Sequence, residues 1–411
     1  MVVVTHPTGN SNVRAILEAF NNSGILAEFN TTIAINPTNP LLKLIPKTYL
    51  RHLLRRSFLI PKTKLSTQPF LEVARLVNTH AGIRKFIQKE GSWSGIDSVY
   101  KGLDACVSKK MDSLIKKKGV NAVYSYEDGA LKTFLAAKQR GLTCIYDLPI
   151  AYWETSRKLL QEEGARLPEW ALTIGGGITD SAEKLERKTR ELELADVVIA
   201  PGSFVVQSLP IWANTKKIVV SPFGSPMALC FHEKQFQNCN KNKLRILFVG
   251  SMSQRKGLSD LFSAFKLLKN ENIELIVMGS TLAPLTFYKE QYPLFTYLPT
   301  RPHNEVLELM RSCDVLCLPS IIEGRALVMQ EAMSQGLPLI ITENTGGADL
   351  IIEGQTGFLV PIRSPAAIAA KLNWFLENKS TIPDMSRIAQ AHASKYTWKN
   401  YGDNILSGLG L

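Results

Sequence analysis

The sequence predicts an α/β protein of two doubly wound domains that face each other across a cleft. At 411 residues the chain is too long for one ordinary core. Short apolar runs alternate with helical patterns along nearly its whole length. The runs fall into two series, divided by the polar, turn-rich stretch 221–243, "SPFGSPMALCFHEKQFQNCNKNK".

In the first series "VVV" (2–4), "NAVYSY" (121–126), "LTCIYDL" (142–148) and "DVVIAPG" (196–202) read as buried strands. Helical patterns between them span Ser11 to Asn22, Gly129 to Arg140 and Thr179 to Leu194. The second series runs "LRILFVG" (244–250), "IELIVMG" (273–279), "FTYLP" (295–299), "DVLCLPS" (314–320), "LPLIIT" (337–342) and "GFLVP" (357–361). Continuous apolar strands, each followed by a helix, belong to parallel sheets covered on both faces. The tail carries Trp398, Tyr401, Ile405 and Leu409 at helical spacing behind Thr397, an expected cap.

Composition narrows the class. With 45% hydrophobic and 20% charged residues the chain is an ordinary globular protein. Its formal charge of +12 points to an anionic partner. No run approaches the roughly 18 apolar residues of a membrane span, and the opening "MVVVTHPTG" reads as a strand, so no signal peptide is expected. The six cysteines show neither a CxxC pair nor disulfide-like spacing, which predicts a reducing, cytoplasmic setting. Aromatic residues are 8% and scattered through apparent strands, which argues against nucleic-acid binding.

In open parallel sheets ligands bind beyond the carboxyl ends of the strands. Three turns of the second series matter there. In "VGSMSQRKGL", Gly250 and Ser251 leave the strand and Arg255 and Lys256 precede a helix, an arrangement suited to an anion. In "EGRALVMQE", Glu323 lies in the turn and Glu331 eight positions on, about 12 Å of helical rise. That separation suits a diphosphate ester with a sugar at each end, with the amides of Gly324, Arg325, Ala326 and Leu327 facing the phosphates. In "TENTGGADLI", Gly346 and Gly347 let the backbone pass close to a ligand.

Together "EGRALVMQE", the following "GLPLI", "TGGADLI", the "RKG" turn and "LADVVIAPGSFV" resemble the GT4-type (group 1) retaining glycosyltransferases of the GT-B fold, most densely over 183–362. The resemblance implies two Rossmann-like domains facing a cleft. Residues 1–221, completed by a returning helix at 395–411, would form the acceptor side, and 222–394 the nucleotide-sugar side. It implies transfer of a sugar from a nucleotide-diphosphate sugar to a glycan or lipid-linked acceptor, with retention and without metal or further cofactor. Arg255 and Lys256 would neutralise the leaving diphosphate, Glu323 would bind donor-sugar hydroxyls and Glu331 the ribose diol. In the first domain the glycine-rich turn is reduced to Gly9 followed by Asn10. Where the family places a histidine the chain has Glu127 and Asp128, with Asp128 placed ahead as the catalytic candidate or else a helix cap. A second frequent histidine is replaced by Asp147.

The stretch 41–65 sets Lys43, Lys47, Arg51, Arg55, Arg56, Lys62 and Lys64 among leucines and isoleucines. It reads first as a helix with solvated cations, and alternatively as a peripheral contact with an anionic membrane. Two other readings stay open: a non-catalytic nucleotide-sugar-binding relative, and a dinucleotide-dependent oxidoreductase, although no G-x-G-x-x-G fingerprint follows a strand.

Overall fold

The computed structural model describes residues 1–37, 39, 54–175, 178–226 and 243–410. Most of the expected linker, and Lys43, Lys47 and Arg51 of the basic stretch, lie outside the described residues.

Among the described residues two parallel sheets carry the architecture. The first contains β1 (Val2–Thr5), β2 (Leu26–Thr31), β3 (Leu65–Thr67), β4 (Ala122–Tyr126), β5 (Thr143–Asp147), β6 (Val197–Ala200) and β7 (Lys217–Val220), in the spatial order β3-β2-β1-β4-β5-β6-β7. The second contains β8 (Leu244–Val249), β9 (Ile273–Met278), β10 (Phe295–Leu298), β11 (Val315–Leu318), β12 (Leu339–Ile341) and β13 (Gly357–Leu359), in the order β10-β9-β8-β11-β12-β13. Every strand pairing is parallel, because each return passes through a helix or a long connection on one face. In each sheet the order reverses once, at β1/β4 and at β8/β11. There the loops beyond neighbouring strands turn to opposite faces and open a crevice.

The six strands of the second sheet are those of the sequence pattern. The first sheet holds three that the pattern does not contain. In β2, "LAEFNT", Glu28 and Asn30 interrupt the apolar run. Glu28 is accommodated because Lys110 and Lys118 reach it at 2.5 and 2.7 Å. The helix expected from 129 begins at Leu131, and Asp128 does not cap it. Instead the Glu191 carboxylate, from the helix Ala182–Leu194, accepts the N–H groups of Asp128, Ala130 and Leu131. Burial pushes that carboxyl up to about 8.

Among the described residues each lobe takes in an element from the other half of the sequence. The helix Trp398–Leu409, capped by Thr397, lies on the N-terminal lobe, where Tyr401 and Ile405 enter its core. Gly402 there meets Ala19 so closely that an added Cβ would stand 2.7 Å from the alanine methyl. In the opposite direction Trp170, from the short turn Pro168–Thr173, is buried in the core of the C-terminal lobe against Phe262, Phe287 and Tyr288. A polar girdle surrounds this insertion. Arg166 binds Asp260 at 2.7 Å, and the fully buried Glu163 receives Arg363 at 2.7 Å and Gln254 at 2.6 Å.

Candidate functional site

A cleft of about 1140 Å³ lies between the lobes, and both reversal points open into it. Asn10, Ser11, Tyr126 and Glu127 reach it from the ends of β1 and β4; Gly250, Lys256 and Glu323 reach it from the ends of β8 and β11.

The C-terminal wall is three turns bound to one another. After β8 the chain passes Gly250 (φ +148°) and forms a short 3₁₀ turn, Gln254–Lys256, ended by Gly257 in the left-handed region. The Arg255 carbonyl accepts the Ile321 N–H at 2.9 Å, fixing this turn to the one after β11. The Glu323 N–H donates to Asn344 O at 2.9 Å and the Ala326 N–H to Thr345 O at 3.2 Å, fixing that turn to the one after β12. The glycine turn "TENTGG" is thus the back support of the site.

Within this frame Glu323 is 9% exposed and doubly paired, with Lys256 Nζ at 2.6 Å and Arg255 at 3.2 Å. Lys256 runs across Gly250, whose missing side chain leaves it room: an added Cβ would stand 2.8 Å from Lys256 Cδ. The expected acid and its two cations are therefore in contact. Glu331 also lines the cleft, from the helix Leu327–Ser334, where burial raises its carboxyl above the usual range. His303 Nδ1 stands 3.7 Å from it.

The other expected residues differ in how they stand to the cleft. Gly9 does not line the cleft, because Phe58 lies over it, 2.3 Å from where a Cβ would be. Neighbouring Asn10 does line it, while its side chain accepts the Val13 N–H and so caps the first helix. Ser251 stands off the cleft with its hydroxyl 3.5 Å from that of Ser253. Arg255 borders the cleft only through Glu323. The Arg325 guanidinium points into the lobe, bound to Asp349 at 2.7 Å and to Gln330 and Gly346 O, so only its backbone faces the ligand space. The Ala326 amide is spent on Thr345 and is not free for a phosphate. Asp128 adopts a left-handed conformation (φ +71°) and turns to Arg187 at 3.3 Å and Lys188 at 3.6 Å. Glu127 faces the cleft instead, 3.3 Å from Lys188, its carboxyl raised by burial.

Asp147 is buried below that wall, where it accepts hydrogen bonds from Tyr124 at 2.8 Å and Asn12 at 3.3 Å. Burial pushes its carboxyl up to about 7. His6 holds the first turn: the Thr8 and Gly9 N–H groups donate to its Nδ1 at 3.1 and 2.7 Å. Those bonds place its proton on Nε2, and burial lowers its pKa to about 3.

The sequence pattern did not point to Arg301 and His303, or to Phe223 and Trp398, all of which line the cleft. "PTRPHN" follows β10, so the strand-end rule applied to that loop would have found the first pair. The second pair comes from the crossover between lobes, which only the assembled fold brings to the cleft.

The pattern of the family "Glycosyl transferases group 1" matches residues 231–393. A capsular polysaccharide biosynthesis glycosyltransferase, CapM of Staphylococcus aureus, is 28% identical over 186 residues, 41% of this chain and 48% of that protein. The chain spans about half the length of the curated relatives it matches. Among solved structures, sucrose-phosphate synthase from Thermosynechococcus elongatus superposes with a TM-score of 0.66 at 14% identity, covering 99% of this chain and 97% of that one. The Anabaena protein HepE in complex with UDP superposes with a TM-score of 0.62 at 14% identity, covering 100% and 99%. The chain has the GT-B fold, and its C-terminal lobe carries the signature of the group 1 glycosyl transferases.

Proposed function

We propose that this protein transfers a sugar from a nucleotide-diphosphate sugar to an acceptor hydroxyl, with retention of anomeric configuration. The observation that carries the reading is the Lys256–Glu323–Arg255 cluster at the β8/β11 crevice, with Glu331 further along the same wall. HepE, bound to UDP in its structure, and the polysaccharide glycosyltransferase relatives support it.

Charge develops on the diphosphate as the bond to the sugar breaks. Cations already fixed in a sheltered cleft stabilise that charge without reorganising. Lys256 supplies one at the cleft and Arg255 adds its charge from behind Glu323, which presents its carboxylate to donor-sugar hydroxyls. Glu331 takes the ribose diol, whose two hydroxyls need acceptors once out of water. Across the cleft Glu127, rather than Asp128, meets the reacting sugar. No carboxylate is assigned as a displacement nucleophile; the departing phosphate takes the acceptor proton.

The test is a thermal-shift screen of UDP-, GDP- and ADP-sugars. It is followed by transfer to candidate hydroxyl acceptors with the product's anomeric configuration read by NMR. Binding with neither transfer nor hydrolysis would mean a non-catalytic nucleotide-sugar protein. An inverted product would overturn the retaining mechanism.

A further inference from the structure

The helix Phe70–His80 is amphipathic the wrong way round for a globular protein. Its one fully buried side chain is a carboxylate, Glu72, held by Arg56 and by Arg75 at 2.7 Å. Its apolar residues Phe70, Val73, Leu76 and Val77, at helical spacing, face solvent, with Phe70 72% and Val77 59% exposed. The loop after it extends the same surface. The Phe70 and Trp93 rings meet edge to face at 5.9 Å. Ser94 joins the Asn78 side chain to Phe86 O through bonds of 2.9 Å. Trp93 and Phe86 are 54% and 41% exposed. Scattered apolar residues on a surface need no explanation, but a contiguous one marks a docking face.

Charge identifies what docks. Over residues 54–96 the sequence has eight Lys or Arg and two acids. Of the acids, Glu72 is withdrawn between its arginines, and Glu90 binds the Ser181 N–H at 3.0 Å. Arg84, Lys85 and Lys89 are exposed beside Ile83 and Phe86. A second copy of the chain related by a two-fold axis would set these cations against their own images, which is unfavourable. A surface combining an apolar stripe, an amphipathic tryptophan and a cationic rim fits the headgroup region of an anionic bilayer. Among the described residues no helix is long and apolar enough to cross a membrane. We propose that the Phe70–Ile96 face of the N-terminal lobe seats the protein on an anionic lipid surface. The face adjoins the cleft, since Arg55 lines it and Arg56 binds Glu72.

The proposal stands apart from the reaction and is tested without it. The full chain is floated with vesicles of phosphatidylcholine alone and with added phosphatidylglycerol. Binding to the anionic vesicles, lost on raising salt to 0.5 M or so, is expected. Arg84→Ala/Lys85→Ala is expected to weaken it roughly 30-fold, given the usual effect of a cation at such a surface. Phe70→Ser/Val77→Ser is expected to weaken it roughly 10-fold or more, with the unfolding midpoint of both variants unchanged because the side chains lie outside the cores. Absence of binding to either vesicle overturns the proposal. So does a concentration-dependent dimer in sedimentation that Phe70→Ser/Val77→Ser abolishes, which would make the face a protein interface.

Discussion

The two lobes present the same strand-end crevice to one cleft and furnish it differently. At β8/β11 the wall is ionic, with Glu323 clamped between Lys256 and Arg255, and its turns are stitched to each other by backbone hydrogen bonds. At β1/β4 the wall is amide, hydroxyl and phenol, from Asn10, Ser11, Asn12 and Tyr126, with Glu127 as its acid. Arg55 also reaches the cleft from this lobe, while Arg187 and Lys188 lie behind the wall and hold Asp128. The contrast teaches a division of labour. One lobe lines the cleft with a clamped acid and its cations, and under the proposed function these meet the diphosphate, while the polar groups of the other would meet the acceptor.

Breaking the ionic wall should have the largest effect. Lys256→Ala is expected to lower kcat/KM for transfer roughly 100- to 1000-fold, as when one preorganised electrostatic contact to the transition state is removed. Steady-state kinetics with the donor identified by the thermal-shift screen checks it. A loss under tenfold would take Lys256 out of the chemistry.

The two walls must also stay in register. A Cβ at Gly324 would stand 1.7 Å from Pro149 O of the opposite lobe, so the lobes touch backbone to backbone there. Gly324→Ala must part them. A misplacement near 1 Å costs about 100-fold in rate. We expect a loss of that order in kcat/KM, with nucleotide affinity nearly kept if the nucleotide binds the C-terminal lobe, as proposed. A parallel collapse of affinity would show instead that the C-terminal wall itself was damaged.

Glu331→Ala separates the walls by ligand. It is expected to weaken donor binding by about 1–3 kcal/mol, the cost of unpaired ribose hydroxyls, whereas Glu127→Gln leaves donor affinity alone and lowers turnover. Calorimetry on both variants distinguishes them. Equal donor affinity in Glu331→Ala and the parent would remove that residue from the nucleotide site.

The support behind the N-terminal wall bears on stability and not on ligand binding. The Asp147 carboxyl is raised by burial from 3.8 to about 7, so between those values the unfolded chain has lost a proton the folded protein keeps. Stability contributed by the neutral carboxyl is thus full below about pH 4 and declines as pH rises towards 7, by at most about 1.4 kcal/mol per pH unit. Asp147→Asn should flatten that part of the profile in urea denaturation at pH 5 to 8. An unchanged slope would assign it to other groups, such as Glu191.

Legibility in the sequence followed the same divide. The strands of the C-terminal sheet are continuous apolar runs and its ionic residues stand at fixed places in the turns, so topology, acid and cations were readable together. In the N-terminal lobe β2 was hidden because Glu28 is tolerated only through Lys110 and Lys118, which come from distant helices. The choice between Glu127 and Asp128 was open for a related reason. Adjacent side chains in a turn diverge according to backbone dihedrals, and the left-handed turn at Asp128 is imposed by Glu191, some sixty positions later. His303 obeys the strand-end rule as well, since its loop follows β10.

Trp170 gives the division into lobes a further consequence. The residue belongs by sequence to the first half and by packing to the second, where it fills a space among Phe262, Phe287 and Tyr288. A fragment beginning at β8 would therefore be born with a hole the size of an indole in its centre. Any hinge motion must turn about that plug rather than pull it out, and the two halves should melt together as one body.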